Sequence, residues 1–260
     1  QLHAWQARKL LTQVERIGTN FPWDHRAKEL FWRGTNSNCR PSCILDAASR
    51  QEVSWASCLE KIDCEFAWTL PTLHGFPRGR LLLLALLTEG IDAGLTGLSQ
   101  YMHPSLVQYL DDNGLIRDAV DPLDQARWSY ALNIDGTGNG DRVYWQMLAG
   151  SLVVVADSPW VSWLVGEVGS NASALQPFVH YIPVRYDLAD LATRLAWLRE
   201  HDDEARRIAE SGRRFAKAHL GLDGILLYLD RLVRRYAADH FTLDASAHAG
   251  EIERIRVQAS

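Results

Sequence analysis

The chain has 260 residues, 47% of them hydrophobic, and its 27 Lys and Arg against 32 Asp and Glu give a formal net charge of −5. This composition is typical of a folded protein and argues against long disordered segments, while the small net charge argues against a nucleic-acid partner. The longest aliphatic run, Leu81 to Leu87, is far shorter than the ~20 residues of a membrane-spanning helix, so no membrane segment is predicted in this chain.

The N-terminal part of the chain is predicted to form two helices and one strand. Apolar residues at helical spacing predict an amphipathic helix over residues 2–17, which ends at a turn that begins with Gly18. The apolar run from Leu30 to Gly34 predicts a short buried strand that leads into a polar loop. Pro41 and the residues after it predict a helix that continues to Arg50.

The segment 51–127 shows no hydrophobic period that is sustained over several turns, because Cys, Trp, Gly and Pro recur in it at irregular intervals. One helix is predicted there, from Pro104 to Leu110, and it is closed by a turn that ends at Gly114. No functional motif is predicted in this segment.

A regular pattern begins at Trp128. Trp128 to Ile134 predicts a strand, Asp135 to Gly140 a glycine-rich turn, and Arg142 to Ala149 a helix. Ser151 to Ala156 then predicts a second strand. The whole segment therefore predicts a β-α-β unit.

Further elements follow this unit. A short helix is predicted from Pro159, and the apolar run from His180 to Val184 predicts a third strand. Asp187, either Asp202 or Asp203, and Asp223 are candidate N-caps of three later helices. The predicted apolar face of the last helix consists of Leu226, Leu229, Val233 and Tyr236. Alternating strands and helices predict an α/β fold with a parallel sheet covered on both faces.

The turn that follows the strand at Trp128 is the strongest candidate for a binding site. Gly136, Gly138 and Gly140 alternate along it, and Arg142 opens the next helix. Glycines allow the backbone to approach a ligand closely, and an arginine and a helix start both favour anions. The spacing differs from the dinucleotide-binding and P-loop motifs, so a tight turn with a solvent-facing arginine remains an alternative.

A second candidate loop follows the strand at Leu30. Arg33 and Arg40 flank its small polar residues, and either guanidinium could reach a diphosphate. The alternative is a turn with two surface charges. His180 lies in an apolar run, where a structural role and a catalytic role both remain open. No carboxylate pair is spaced to hold a metal, so no metal site is predicted.

Four segments occur in an order that is characteristic of one family: Phe31 to Thr35, Ala131 to Gly136, Leu148 to Val153 and Pro177 to Val184. Through them the chain resembles glycosyltransferase family 90, which contains protein O-glucosyltransferases and fungal capsule-associated xylosyltransferases. The resemblance extends over about residues 23–236. It implies a GT-B-like arrangement of Rossmann-type domains around a nucleoside-diphosphate sugar.

The resemblance also implies an activity. Glucose or xylose would pass from a UDP-sugar to a hydroxyl group of a protein or polysaccharide, with inversion and without a metal or other cofactor. Donor binding is implied for Thr35, Arg40 and residues 137–142, whose backbone N–H groups and arginines would neutralise the departing diphosphate. With the two candidate loops, the predicted donor-binding residues are Arg33, Thr35, Arg40, Asp135, Gly136, Thr137, Gly138, Asn139, Gly140, Asp141 and Arg142.

No catalytic residue is predicted. An inverting transfer needs a general base that takes the proton of the acceptor hydroxyl. The carboxylate with this role in the family lies upstream of the Trp32-Arg33-Gly34 block, and Asp24 fits a cap or surface charge better. The alternative function is therefore a catalytically incomplete module that binds a nucleotide sugar or a glycan.

The sequence begins at Gln1 with neither an initiator Met nor a signal-peptide pattern, so we expect it to start inside a longer chain. Residues 1–22 are predicted to be a remnant of an acceptor-side domain that is largely missing. Residues 23–186 are predicted to form the Rossmann-like domain that binds the nucleotide sugar. Residues 187–240 are predicted to be C-terminal helices that pack back on the domains, and residues 241–260 a tail.

Cysteine usage and one acceptor sequence favour the secretory pathway. Cys39, Cys43, Cys58 and Cys64 lie close together, which favours a disulfide-bonded segment and leaves three pairings open. A glycosylation acceptor, Asn-Ala-Ser, begins at Asn171. We therefore expect the ER or Golgi lumen, and an anchor in a segment upstream of this sequence is compatible with that location.

Overall fold

The structure is a computed structural model that describes residues 13, 21–36, 40–41, 62–63, 68–98, 102–136, 140, 142–158, 175–219 and 222–240. The chain divides into two compact units, one that ends at Ala218 and one that begins at His219. The domain boundaries predicted from the sequence stay a prediction.

A five-stranded parallel sheet forms the centre of the first unit. The strands among the described residues are β1 (Ala27–Thr35), β2 (Arg40–Pro41), β3 (Ile62–Asp63), β4 (Ile91–Gly97), β5 (Trp128–Asn133), β6 (Leu152–Ala156) and β7 (Ile182–Val184). The order in the central sheet is β4-β1-β5-β6-β7, and all neighbours are parallel. The predicted α/β class with a parallel sheet is therefore confirmed.

Helices lie between the strands of this sheet and after its last strand, β7. They are α1 (Pro77–Leu87), α2 (Pro104–Asp112), α3 (Val143–Leu148), α4 (Leu191–Glu200) and α5 (Asp202–His219). Short 3-10 segments lie at Trp23–His25, Leu73–Gly75 and Asp124–Arg127. The β-α-β unit predicted from Trp128 onward is confirmed as β5-α3-β6, and the helix predicted from Pro104 is confirmed as α2.

Two predicted helix starts are wrong. Pro41 pairs with Ile62 in the antiparallel β2-β3 ladder, so no helix begins there. The helix predicted from Asp187 begins only at Leu191, because Leu188 has a φ of +56°, which is outside the right-handed helical region. The helix predicted over 2–17 is described only at Gln13, which is helical. The helix predicted from Pro159 and the remainder of the one predicted over 41–50 lie outside the described residues.

Strand β4 and helix α1 were not predicted. The sequence of β4 contains Asp92 and two glycines, and this composition is unusual for a strand. Its stability comes from tertiary contacts, because it pairs with β1 from Leu30↔Ile91 onward and the Asp92 carboxylate forms an ion pair with Arg33. Leucines occupy nearly the whole second half of α1, so no helical period is visible there.

The sheet topology identifies where a ligand can bind. The chain passes from β1 to β4 on one side, and it then adds β5, β6 and β7 on the other side. The strand order therefore reverses between β1 and β5. In open parallel sheets ligands bind at such a switch point, beyond the carboxyl ends of the strands. Here those ends are Thr35 and Asn133.

The second unit is described as helix α6 (Leu222–His240). The predicted apolar residues of this helix are all exposed: Leu226, Leu229, Val233 and Tyr236. On its polar side Arg234 pairs with Asp230 one turn away, at 2.8 Å. No helix in the described part of the chain is both long and apolar enough to cross a membrane.

Candidate functional site

Arg78 connects the carboxyl ends of the two strands at the switch point. Its Nη1 donates to the main-chain oxygen of Thr35 at 2.7 Å, and its Nε donates to the main-chain oxygen of Asp135 at 2.9 Å. Its guanidinium also lies 5.5 Å from the centre of the Trp32 ring. Pro77 occupies the first turn of α1, where its fixed φ favours the helix start that places Arg78 here.

Arg142 brings a second guanidinium to the same place. It is the N-cap residue of α3, and its Nη1 donates to the main-chain oxygen of Arg33. Gly34 makes this approach possible, because a Cβ on it would lie 2.6 Å from Trp32 Cζ2 and 3.3 Å from Arg142 Nη2. A side chain at position 34 would therefore displace the ring, the guanidinium or both.

The two guanidiniums repel each other. The pKa of Arg78 is lowered to about 10, first by burial and then by the charge of Arg142, while Asp135 acts in the opposite direction. Like charges that are held together in a partly buried site favour a bound anion, because the anion reduces their repulsion. The site is therefore suited to an anionic group.

Gly140 is held by two side chains from the end of β5. Its N–H donates to Asp135 Oδ1 at 3.0 Å, and its main-chain oxygen accepts from Asn133 Nδ2 at 3.2 Å. The other carboxylate oxygen of Asp135 accepts from the Ser158 hydroxyl. Burial raises the pKa of Asp135, and the hydrogen bonds from Ser158 and Gly140 limit this rise.

A cleft that opens to solvent lies beside these groups. Its lining consists of Trp68, Phe76, Pro77, Arg78, Asp135, Gly136 and Tyr186. The Trp68 and Phe76 rings stack with their centres 4.4 Å apart, and burial followed by the Asp135 charge raises the pKa of Tyr186. At Gly136 a Cβ would lie 2.7 Å from Arg78 Nη2, so the missing side chain leaves room for the guanidinium.

The structure brings together Thr35, Asp135, Gly136, Gly140 and Arg142 of the predicted donor-binding residues. The Arg33 guanidinium is directed elsewhere, because it is 9% exposed and forms an ion pair with Asp92 at 2.7 Å. Only its main-chain oxygen takes part in the site, through Arg142. The predicted binding roles stay predictions.

The remaining predicted residues are placed only in part. The backbone of Arg40 lies in β2, where it pairs with Asp63. Thr137, Gly138, Asn139 and Asp141 lie outside the described residues, as do the four cysteines and Asn171. Within the part of the chain that the structure describes, no group of three or more His, Cys, Asp and Glu side chains is placed to hold a metal ion.

Sequence analysis missed Arg78, because it lies in the segment for which no motif is predicted. A signal was nevertheless present. Arg78 and Arg80 lie one and three residues after Pro77, and no acidic residue occurs in the first turn of α1. Cations at a helix N-terminus oppose the helix dipole, so arginines after an N-terminal proline indicate a role other than helix stability.

Comparison with known proteins agrees with the motifs of the sequence. The family model described as Glycosyl transferase family 90 matches residues 1–255. Protein O-glucosyltransferase 2 of Danio rerio is 33% identical over 179 residues, which cover 65% of this chain and 33% of that protein. Protein O-glucosyltransferase 3 of Homo sapiens is 29% identical over 180 residues, which cover 66% of this chain and 33% of that protein. The chain thus spans about a third of the length of these curated relatives.

Among solved structures, Anabaena Alr3699/HepE in complex with UDP-glucose matches with a TM-score of 0.46 and 17% identity, over 65% of this chain and 47% of that chain. The fold assignment of this chain rests on its own parallel sheet and strand order.

Proposed function

The chain belongs to glycosyltransferase family 90, and on this premise we propose that it holds the UDP-sugar donor of an enzyme that transfers a sugar to a hydroxyl group. Glucose and xylose are the two candidate sugars, and a protein or a glycan is the acceptor. The names of the relatives, protein O-glucosyltransferases, favour glucose and a protein.

The observation that carries this proposal is the meeting of Arg78 and Arg142 at the switch point. Arg78 comes from the first turn of α1 and Arg142 from the start of α3, and burial followed by the Arg142 charge lowers the pKa of Arg78. Guanidinium groups bind phosphate oxygens through two N–H donors at once. A diphosphate between them would reduce the repulsion between the two guanidiniums.

The same arrangement supports a metal-independent transfer, and the family resemblance is the ground for proposing inversion. The acceptor hydroxyl would give its proton to a general base while its oxygen attacks the anomeric carbon from the face opposite the diphosphate, and UDP would leave with the electron pair of the broken C–O bond. Charge on the leaving diphosphate grows during this step, and fixed guanidiniums stabilise such charge without reorganisation. Arg78 and Arg142 would then have the role that a metal ion has in other transferases.

A nucleotide-sugar or glycan-binding module without catalysis is the second candidate. Its support comes from the cleft, where the lining carboxylate among the described residues is Asp135. Both oxygens of this carboxylate are engaged, one by Gly140 and one by Ser158. Asp135 is therefore not assigned as the base that takes the proton of the acceptor.

Titration of the protein with UDP and with uridine tests the proposed function. Charge-assisted hydrogen bonds to the diphosphate contribute about 1.5–3 kcal/mol each, so UDP should bind at least about tenfold more tightly than uridine. Equal affinities would contradict a diphosphate site. Turnover of UDP-glucose or UDP-xylose then separates the candidates, because binding without hydrolysis or transfer would favour the module.

A location in the ER or Golgi lumen is part of the proposal. The clustered cysteines from Cys39 to Cys64 and the acceptor sequence at Asn171 support it. Digestion of the secreted protein with a glycan-removing enzyme tests it, since a mass change that is absent in Asn171→Gln would place this segment in the lumen during synthesis.

A further inference from the structure

The carboxylate of Asp135 makes its hydrogen bonds to the protein itself. Oδ1 accepts from the Gly140 N–H at 3.0 Å, and the second oxygen accepts from the Ser158 hydroxyl. The main-chain oxygen of the same residue accepts from Arg78 Nε at 2.9 Å. Asp135 thus joins the end of β5, the segment after β6 and the first turn of α1.

Asn133 completes the contacts around Gly140. Its Nδ2 donates to the main-chain oxygen of Gly140 at 3.2 Å, so both polar main-chain groups of Gly140 are held by side chains. A Cβ on Gly140 would lie only 2.5 Å from Asn133 Oδ1, so this close approach requires glycine. The position of Gly140 is therefore determined by the side chains of Asn133, the last residue of β5, and Asp135, which lies two residues beyond it.

We propose that Asn133, Asp135 and Ser158 are positioning residues that fix Gly140, and through it Arg142, for the diphosphate of the donor. We call these three residues the Gly140 clamp. This inference rests on the proposed function, because the diphosphate is the group that Arg142 would bind. Gly140 precedes Arg142 by two residues, and Arg142 in turn reaches the Arg33 oxygen.

The clamp assigns Asp135 the role of a hydrogen-bond acceptor and not that of a counter-ion. A negative charge beside a diphosphate weakens binding, whereas an acceptor of the same shape does not. The surroundings agree with this role, since burial raises the pKa of Asp135 and so disfavours its charged form. An asparagine at position 135 could accept from Gly140 through Oδ1 and donate to Ser158 through its amide nitrogen.

Two pairs of variants test the clamp. Asp135→Asn keeps the shape and the acceptor, whereas Asp135→Leu keeps only the approximate volume. Ser158→Thr keeps the hydroxyl, whereas Ser158→Ala removes it. UDP and uridine are titrated against each variant, and exchange of the Gly140 amide proton is followed by NMR.

The clamp predicts that Asp135→Leu and Ser158→Ala weaken UDP binding by roughly three- to tenfold or more, with little change for uridine. Asp135→Asn should bind UDP at least as tightly as the wild type, and Ser158→Thr should stay within about twofold of it. Gly140 amide exchange should accelerate in Asp135→Leu and remain slow in Asp135→Asn. Thermal unfolding of each variant confirms that it is folded.

Three results would overturn the clamp. The first is a UDP affinity of Asp135→Leu that equals that of the wild type. The second is an equal loss of UDP affinity in Asp135→Asn and Asp135→Leu. The third is an unchanged exchange rate of the Gly140 amide proton in Asp135→Leu. Failure of the wild type to bind UDP more tightly than uridine would instead contradict the proposed function. In that case the Gly140 exchange data still decide whether the clamp holds the turn.

Discussion

Arg78 and Arg142 bind the same strand from two different helices. Arg78 donates to the main-chain oxygen of Thr35 and Arg142 to that of Arg33, which lies two residues earlier in β1. Both guanidiniums therefore lie at the carboxyl end of β1. The end of β1 thereby positions two cations that are far apart in the sequence.

Arg78→Lys tests the bridging role of the guanidinium. Lysine keeps the charge, but it is a single point donor and cannot reach the Thr35 and Asp135 oxygens in the geometry of the planar fork. We expect a loss of about 1–3 kcal/mol in the free energy of unfolding, measured with urea, because main-chain acceptors lose their donor. Arg127→Lys is the control, since Arg127 is exposed and pairs only with exposed Asp124 among the ion pairs of the described residues. Equal stability of Arg78→Lys and wild type would contradict the bridge.

Gly34→Ala tests the close packing beneath Arg142. The new Cβ would lie 2.6 Å from Trp32 Cζ2, so we expect a destabilisation of about 1–3 kcal/mol and weaker UDP binding. Gly114→Ala is the control, because Gly114 has φ +66 and nothing within 4 Å of its added Cβ. That variant should lose about 1–2 kcal/mol through backbone strain and keep its UDP affinity. Unchanged UDP affinity in Gly34→Ala would mean that the close packing at Gly34 is not needed for UDP binding.

Asp92→Asn tests what holds β4 against β1. The Asp92 carboxylate pairs with Arg33 and Arg117, each at 2.7 Å, and the Arg33 side chain is only 9% exposed. Loss of the carboxylate leaves this buried cation without its counter-charge, which costs up to about 3–5 kcal/mol in comparable cases. Asp124→Asn, at an exposed pair, should change the stability by less than about 1 kcal/mol. Similar losses in both variants, measured by chemical unfolding, would contradict a structural role of Asp92.

The pH dependence of stability should differ in sign between Asp135 and Asp187. The pKa of Asp135 is raised above its ordinary value of 3.8 by burial, so the folded state holds this proton more tightly than the unfolded state. Its stabilising contribution is complete below pH 3.8 and is lost as the pH rises through the raised pKa. Asp135→Asn should therefore gain stability relative to wild type as the pH rises from about 4 to 7.

Asp187 provides the opposite case. Hydrogen bonds from Arg185 lower the pKa of Asp187 below 3.8, so its contribution is present above this value and is lost as the pH falls through the lowered pKa. The stability difference between wild type and Asp187→Asn should shrink in acid. Urea unfolding of both variants and wild type over a pH series measures the two effects, and slopes of the same sign would contradict the assigned shifts.

The sequence predicted the parts of the fold in which neighbouring residues determine the structure. Strand β5, helix α3 and strand β6 are contiguous, and their hydrophobic pattern and glycine-rich turn are visible without tertiary information. Strand β4 was missed because Asp92 is acceptable there only in contact with Arg33. Contacts of that kind depend on the sheet order and not on local pattern.

The candidate site divides in the same way. Its glycine-rich turn and Arg142 were predicted from the sequence. Arg78 was not, because its partners Thr35 and Asp135 lie in two other segments that meet only in the folded sheet. Arg33 was predicted to bind the donor, but its guanidinium pairs with Asp92 instead. This pair could not be predicted from local sequence, because β4 brings Asp92 beside Arg33 only in the folded sheet.

In the proposed donor site, Arg78 and Arg142 bind one diphosphate together. A double-mutant cycle with Arg78→Ala, Arg142→Ala and the double variant, each titrated calorimetrically with UDP and with uridine, measures this joint binding. We predict that each single variant loses about 1.5–3 kcal/mol of UDP binding free energy, with a coupling of at least about 0.5 kcal/mol in the double variant and unchanged uridine binding. UDP affinities equal to that of the wild type in both single variants would contradict the claim.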